Sequence, residues 1–195
     1  MNKEKILIVG GGGHALSSID IIESVGRFEI AGIIDSGACS ITRYPLLGND
    51  EALPELVSNI KNVFIAVGQI KSYATRLRLV EKLKNLGAVF PTIISPRAYV
   101  SSEVSFGEGC FVGHMSVINS KVKVGNFCII NSCALLEHGV SVQDFCHIST
   151  GAIVNGDAMI GYGTFLGSGA IVREGISIKK DSIISMGERV ISGNH

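Results

Sequence analysis

The stretch CFVGHMSVINSKVKVGNFCIINSCALLEHGVSVQDFCHISTGAIV, residues 110–154, carries an aliphatic side chain at every sixth position: Val112, Ile118, Val124, Ile130, Leu136, Val142, Ile148 and Val154. Followed outward, the series begins at Val100 and Phe106 and continues through Ile160, Leu166, Val172, Ile178 and Ile184 to Val190 without a miss. A period of six does not fit a helical stripe at 3.6 residues per turn. It fits a coil of three short strands repeating every eighteen residues, and many such coils stacked into a triangular prism. The expected fold of this half is a left-handed parallel β-helix with the aliphatic series filling the prism. Two residues before each aliphatic sits a mostly small side chain, as at Cys110, Ser116, Cys128, Ala134, Cys146 and Ala152. The position just after is often Gly or Asn, as at Gly107, Gly113, Asn119, Gly125, Asn131, Asn155, Gly161 and Gly167. That position is read here as the corner, where a positive φ is needed. Cys110, Cys128 and Cys146 are eighteen apart, so they are expected to stack inside the prism as inert small hydrophobes.

Upstream of the repeat the pattern alternates. Lys5–Val9, Phe28–Ile34, Asn62–Val67 and Val89–Ile93 read as strands, and stretches near His14–Val25, Leu53–Ser58 and Tyr73–Leu86 as helices. A small Rossmann-like α/β domain with a parallel sheet is expected over residues 1–95, with the β-helix over 96–195 and the junction at Ser95-Pro96-Arg97. Gly10, Gly12 and Ala15 satisfy G-x-G-x-x-A after the first strand, and Asp35 follows about twenty residues on. The domain is half the size of a dinucleotide fold, which favours one nucleotide over NAD. A glycine turn that merely packs helix on strand is the plainer alternative.

Composition closes off other classes. Lys plus Arg and Asp plus Glu both total 17, so the chain has no cationic excess for nucleic acid or an anionic membrane. No apolar run is long enough for membrane insertion, and MNKEKILIVGGGG enters a strand and a glycine turn, so a cytoplasmic protein is expected. Five cysteines with no CxxC or CxH cluster read as reduced thiols, with no metal site.

The segments GGGGHA at residues 10–15, YPLLGND at 44–50, AVG at 66–68 and NSCALLEHGVSVQDFCHISTGAIVNGD at 131–157 together resemble the hexapeptide-repeat sugar acetyltransferases. That family includes sialic acid O-acetyltransferases and N-acetyltransferases acting on nucleotide-linked 4-amino sugars. The resemblance implies a homotrimer, acetyl-CoA as co-substrate, and a nucleotide sugar held by the N-terminal domain in bacterial surface-glycan biosynthesis. It implies His138 as general base, Asn131 lining the acetyl-transfer site, and His147 with the Gly156 amide at the acetyl-CoA thioester. It also assigns Gly12, Gly13 and His14 to the nucleotide phosphates and sugar, and Asp35 and Gly68 to the base and ribose.

Imidazole titrates near neutrality, which suits His138 to accept a proton from an ammonium or hydroxyl. His147 is nine residues further, half a coil, so the two cannot share a face of one prism, although they could meet across a subunit boundary. Many relatives that acetylate amino sugars carry an acid directly after the base, where this chain has Gly139. Glu137 or Asp144 is then expected to orient His138, or the chain acetylates oxygen instead. Relatives also continue past the position of Val190–His195 into a G-x-P-A loop. Two further readings stay open: a non-catalytic nucleotide-sugar-binding protein, and a trimeric metalloenzyme using His114, His138 and His147.

Overall fold

The computed structural model describes residues 3–37, 39 and 41–192; the expected chain end beyond 192 lies outside them. The chain divides into two compact units. One comprises the residues up to Gly68 together with Ala74–Ile93, and the other Gln69–Tyr73 with the residues from Ile94 onward.

The first unit is a parallel sheet ordered β3-β2-β1-β4, built from β1 (Glu4–Val9), β2 (Phe28–Ile34), β3 (Leu46–Gly48) and β4 (Asn62–Ile65). Ile6, Leu7 and Ile8 of β1 are fully buried, as a central parallel strand requires. Helices α1 (Gly13–Val25), α2 (Leu53–Asn59) and α3 (Ala74–Asn85) complete the unit. Helix α1 buries Ala15, Ile19 and Ile22 and ends on Gly26, whose left-handed φ of 72° lets its amide close on Ile22 O. Strand β3, inside YPLLGND, escapes the sequence reading because three residues carry too little alternation. The expected strand Val89–Ile93 does not form: Val89 makes one isolated bridge to Asn62. Pro91, which has no N–H to give, interrupts the ladder there.

The second unit is the left-handed parallel β-helix. Sixteen two-residue strands, β6 (Tyr99–Val100) through β21 (Arg189–Val190), each end on one residue of the six-residue series. They form three sheets, each taking every third strand: one runs from β6 to β21, one from β7 (Ser105–Phe106) to β19 (Ser177–Ile178), and one from β8 (Phe111–Val112) to β20 (Ile183–Ile184), with β5 (Ile93–Ile94) at the edge of the last. Register is eighteen throughout, as in Ile129 against Phe111 and His147. The series from Val112 to Val190 is buried in one continuous core with Cys110, Ala134 and Ala152.

The thiols point inward as expected. Cys110 Sγ donates to Gly125 O at 3.0 Å, Cys128 Sγ to Gln143 O at 3.1 Å and Cys146 Sγ to Gly161 O at 3.1 Å. Thr164, next in the column, makes the same bond to Lys179 O through its hydroxyl at 3.0 Å. Burial pushes the Cys128 thiol well up, which keeps it protonated and unreactive.

The corner reading needs correction. From Phe106 to Ile184 the positive-φ residue lies three positions after the series residue, at Gly109, Met115, Lys121, Phe127, Cys133, Gly139, Phe145, Gly151, Asp157 and onward to Gly187. Glycine directly after the aliphatic answers a different constraint, close approach of the next coil. A Cβ on Gly113 would stand 2.4 Å from Ser132 N, and one on Gly161 2.5 Å from Lys180 N.

Candidate active site

In the α/β unit, the loop after β1 is shaped by contacts that exclude side chains. Gly10 adopts φ +108°, and a Cβ there would meet Val67 Cγ2 at 2.9 Å. Gly11 donates its amide to Asp35 Oδ2 at 2.5 Å, and Gly37 donates to Asp35 Oδ1 at 2.6 Å. Asp35 thus organises the loop through both carboxylate oxygens. Gly12 caps α1 and Gly13 begins it; both are exposed, and a Cβ on either would touch nothing within 4 Å. Packing therefore gives no reason for glycine at these two positions, whereas a ligand approaching the amides of a helix N-terminus does. His14 is half-buried in the first turn of α1, and its carbonyl accepts from Ser18 Oγ at 2.8 Å. A Cβ on Gly68 would lie 3.7 Å from His14 Cβ, so the two flank one another.

A crevice at the C-terminal ends of the strands is lined by Gly10, Asp35, Ser36, Asp50, Thr75 and Arg78 among others. This is where parallel α/β sheets take ligands. Asp50, Thr75 and Arg78 were not singled out as ligand contacts in the sequence: Asp50 only ends the YPLLGND segment, and Thr75 and Arg78 lie on α3, which has no glycine signature to mark them. Buried Arg76 holds the wall through Nη1, donating to Ile65 O at 3.0 Å and Val67 O at 2.7 Å.

The β-helix carries two separate groups. In the first, His138 follows β12 (Leu135–Leu136) at a corner and is exposed. Its ring lies on Gly156, one coil on and buried: a Cβ there would stand 2.6 Å from His138 Cε1 and 2.8 Å from Nε2. His138 Nδ1 is 3.9 Å from Asp157 Oδ2. The expected partners are engaged elsewhere. Glu137 Oε2 accepts from Asn119 Nδ2 at 2.9 Å, while Asp144 accepts from Asn126 N at 2.8 Å and from Asn126 Nδ2 at 3.1 Å. Asp157, not Glu137 or Asp144, is the carboxylate beside His138. The signal that finds it is the eighteen-residue column, in which Asp157 stacks on Gly139.

The second group lies on the β14 (His147–Ile148) face, around His147, which is buried. His147 Nδ1 is 2.5 Å from Gln69 O. A carbonyl only accepts, so Nδ1 carries the proton, and Nε2 is left facing Asn131 Nδ2 at 3.5 Å. Gln69 is held in turn by its own amide, which donates to Phe145 O at 2.5 Å. Tyr73, Phe145, Tyr162 and Phe127 pack around this segment, with Tyr73 edge-on to Tyr162 at 5.2 Å and Phe127 stacked on Phe145 at 5.3 Å. Asn131 and His147 are therefore together, and His138 and Gly156 are together, on different faces. This moves Gly156 from the expected His147 group to the His138 group. His114, the third histidine of the metal reading, has Nδ1 2.6 Å from Ser95 Oγ. Among the described residues no cluster of three or more His, Cys, Asp or Glu is arranged to hold a metal, and no helix is long and apolar enough to cross a membrane.

Residues 5–83 match the family described as the PglD N-terminal domain, and residues 158–188 match the hexapeptide repeat of succinyl-transferase. No curated protein matches the sequence. Among solved structures, PerB from Caulobacter crescentus in complex with CoA and GDP-perosamine is 31% identical, with a TM-score of 0.91 over 97% of this chain and 89% of that one. A histidine variant of perosamine N-acetyltransferase from the same organism, also with CoA and GDP-perosamine, is 30% identical over the same shares, with a TM-score of 0.91. The acetyltransferase domain of PglB from Neisseria gonorrhoeae, in complex with acetyl coenzyme A, is 25% identical over 97% and 93% of the two chains, with a TM-score of 0.88.

Proposed function

The chain belongs to the hexapeptide-repeat sugar acetyltransferases and is an acyltransferase; from that premise we propose that it transfers the acetyl group of acetyl-CoA to the amino group of a nucleotide-linked 4-amino sugar in bacterial surface-glycan biosynthesis. The observation that carries the proposal is the match along 97% of the chain to a structure holding CoA and GDP-perosamine. Residues 1–95 serve as the nucleotide-sugar-binding domain and residues 96–195 as the transferase domain. Both substrates are polyanions that do not cross membranes unaided, which supports a cytoplasmic reaction.

His138 acts as general base. It takes one proton from the sugar ammonium and the freed amine attacks the thioester carbonyl; as the tetrahedral intermediate breaks its C–S bond, the nitrogen's second proton passes to the departing CoA thiolate, and the His138 imidazolium returns its proton to solvent. Asn131 and His147 line the acetyl site, and the Gly156 amide stabilises the oxyanion. In the α/β unit, Gly12 and Gly13 amides with His14 hold the phosphates and sugar, and Asp35 and Gly68 border the base and ribose.

One chain offers the His138 group and the Asn131–His147 group on different faces, so a complete site takes one group from each of two copies. The outward positions Val117, Leu135, Ile153 and Ile171 form an apolar ladder on the sheet that leads into the His138 corner, and all are half-buried. An apolar face of this kind supports a homotrimer in which the copies pair. O-acetylation of a sialic acid drew its support from the missing acid at Gly139, and the carboxylate of Asp157 beside His138 removes much of that support. The test is acetyl-CoA turnover with UDP- and GDP-linked 4-amino sugars against free sialic acid. Turnover with the amino sugars, lost in His138→Ala, is expected; turnover with sialic acid alone, or full activity in His138→Ala, refutes the reading.

A further inference from the structure

We propose that Asp157 is the positioning residue for His138, a carboxylate delivered from the following coil through the space that Gly139 leaves empty. The inference rests on His138 being the base, and it names what orients that base in this chain. Three features of the corner combine. Gly156 forms the floor under the imidazole, since any side chain there would occupy the ring's place. Asp157 forms the wall, with Oδ2 3.9 Å from His138 Nδ1. Gly139 forms the opening, because a Cβ at that position would stand 2.1 Å from Asp157 Oδ1. A side chain after His138 and the Asp157 carboxylate in its present place are mutually exclusive.

The backbone fixes the arrangement. Asp157 adopts φ +59°, and its amide donates to His138 O at 2.9 Å, so the coil register itself sets the spacing between the two side chains. At 3.9 Å the contact is Coulombic and not a hydrogen bond, and its pull strengthens as the imidazole takes up a proton. With Nδ1 turned to Asp157, Nε2 is the nitrogen presented to the acceptor. Charged groups in the neighbouring coils are Glu137, tied to Asn119, Lys121, which precedes Gly139 by one coil in the same column, and Glu174, which follows Gly156 by one coil and pairs with Arg173.

Asparagine and glycine both tolerate a left-handed φ, so Asp157→Asn removes the charge without straining the turn. Asp157→Asn is expected to lower kcat about tenfold, with both KM values within about twofold of wild type. Relocating the carboxylate in the Gly139→Asp, Asp157→Gly double variant restores most of the rate, which a merely structural role for Asp157 would not allow. The ring tautomer of His138, read from its nitrogen NMR shifts in the full-length protein without substrate, reports the pair independently of turnover, with the Nδ1–H form expected to be favoured in wild type over Asp157→Asn. The same tautomer balance in wild type and Asp157→Asn overturns the proposal, even if His138→Ala has already disproved the base assignment. Unchanged kcat in Asp157→Asn overturns it as well.

Discussion

Replacing Gly156 with alanine separates the stability of the β-helix from the placement of its catalytic ring. The new Cβ would sit 2.6 Å from His138 Cε1, 2.8 Å from Nε2 and 3.3 Å from Nδ1. Ordinary contact requires about 3.6 Å, so the ring must retreat by about 1 Å. The ring is free to do so: the His138 side chain is 66% exposed, and no backbone atom is among the three nearest to the new Cβ. The stability cost is therefore below about 1 kcal/mol, within the range of a surface change. The catalytic cost is larger, because displacing a base by about 1 Å forfeits about 10²-fold in rate. Thermal denaturation of Gly156→Ala should show a midpoint within a few degrees of wild type, while steady-state acetyl transfer should lose about two orders of magnitude in kcat. Wild-type kcat in the variant would refute the placement of His138 on Gly156. A large drop in melting temperature would refute the claim that the ring, and not the coil, absorbs the contact.

Gly161→Ala makes the complementary case. Its Cβ would stand 2.5 Å from Lys180 N and 2.7 Å from Ile178 O, backbone atoms of the next coil that cannot swing away, so unfolding by urea should show a loss of about 2 to 3 kcal/mol. A loss below about 0.5 kcal/mol would contradict the close-approach explanation of these glycines. One buried thiol, Cys128, shapes the response to alkali. The Cys128 thiol is raised above its ordinary value of 9.0 by burial, so its contribution is fully present below pH 9 and is lost as the unfolded thiol ionises above it. Between pH 8 and pH 10, Cys128→Ser, which can keep the hydrogen bond as Thr164 does, should lose about 1 kcal/mol less stability than wild type. Equal losses in the two proteins would show that this thiol does not titrate on unfolding.

The six-residue series was legible because burial inside a narrow prism admits few side chains, and every coil repeats the demand. The corner was misread because two positions of the repeat carry glycine for different reasons. Gly109, Gly139, Gly151 and Gly163 mark the positive-φ corner, but Met115, Lys121, Phe127, Cys133 and Phe145 adopt the same conformation between them, held by the coils on either side, and blur the signal. Glycines such as Gly113 and Gly161 stand instead where the next coil comes too close for a Cβ. In the site, His138, His147 and Asn131 could be named from the motif they share with the family. Asp157 and Gln69 could not, since each acts on a histidine far along the chain. Asp157 lies one coil beyond its partner, and Gln69 sits in a loop that joins the β-helix from between two elements of the α/β unit. Asp35, which the family resemblance puts at the base and ribose, also accepts from the amides of Gly11 and Gly37, a loop-ordering role that the sequence did not show.

The division of one active site between two copies can be measured by subunit complementation. His138→Ala and His147→Ala chains, each inactive alone, would be unfolded together in equal amounts, refolded and assayed for acetyl transfer. In a cyclic trimer with random mixing, three-quarters of the assemblies are mixed, and each of these holds one site with both histidines intact. The mixture should therefore recover about a quarter of the wild-type rate. Recovery near that level supports a site built from the His138 corner of one copy and the His147 face of another. No activity in a mixture shown to contain mixed trimers would place both histidines of each site in the same chain and contradict the account.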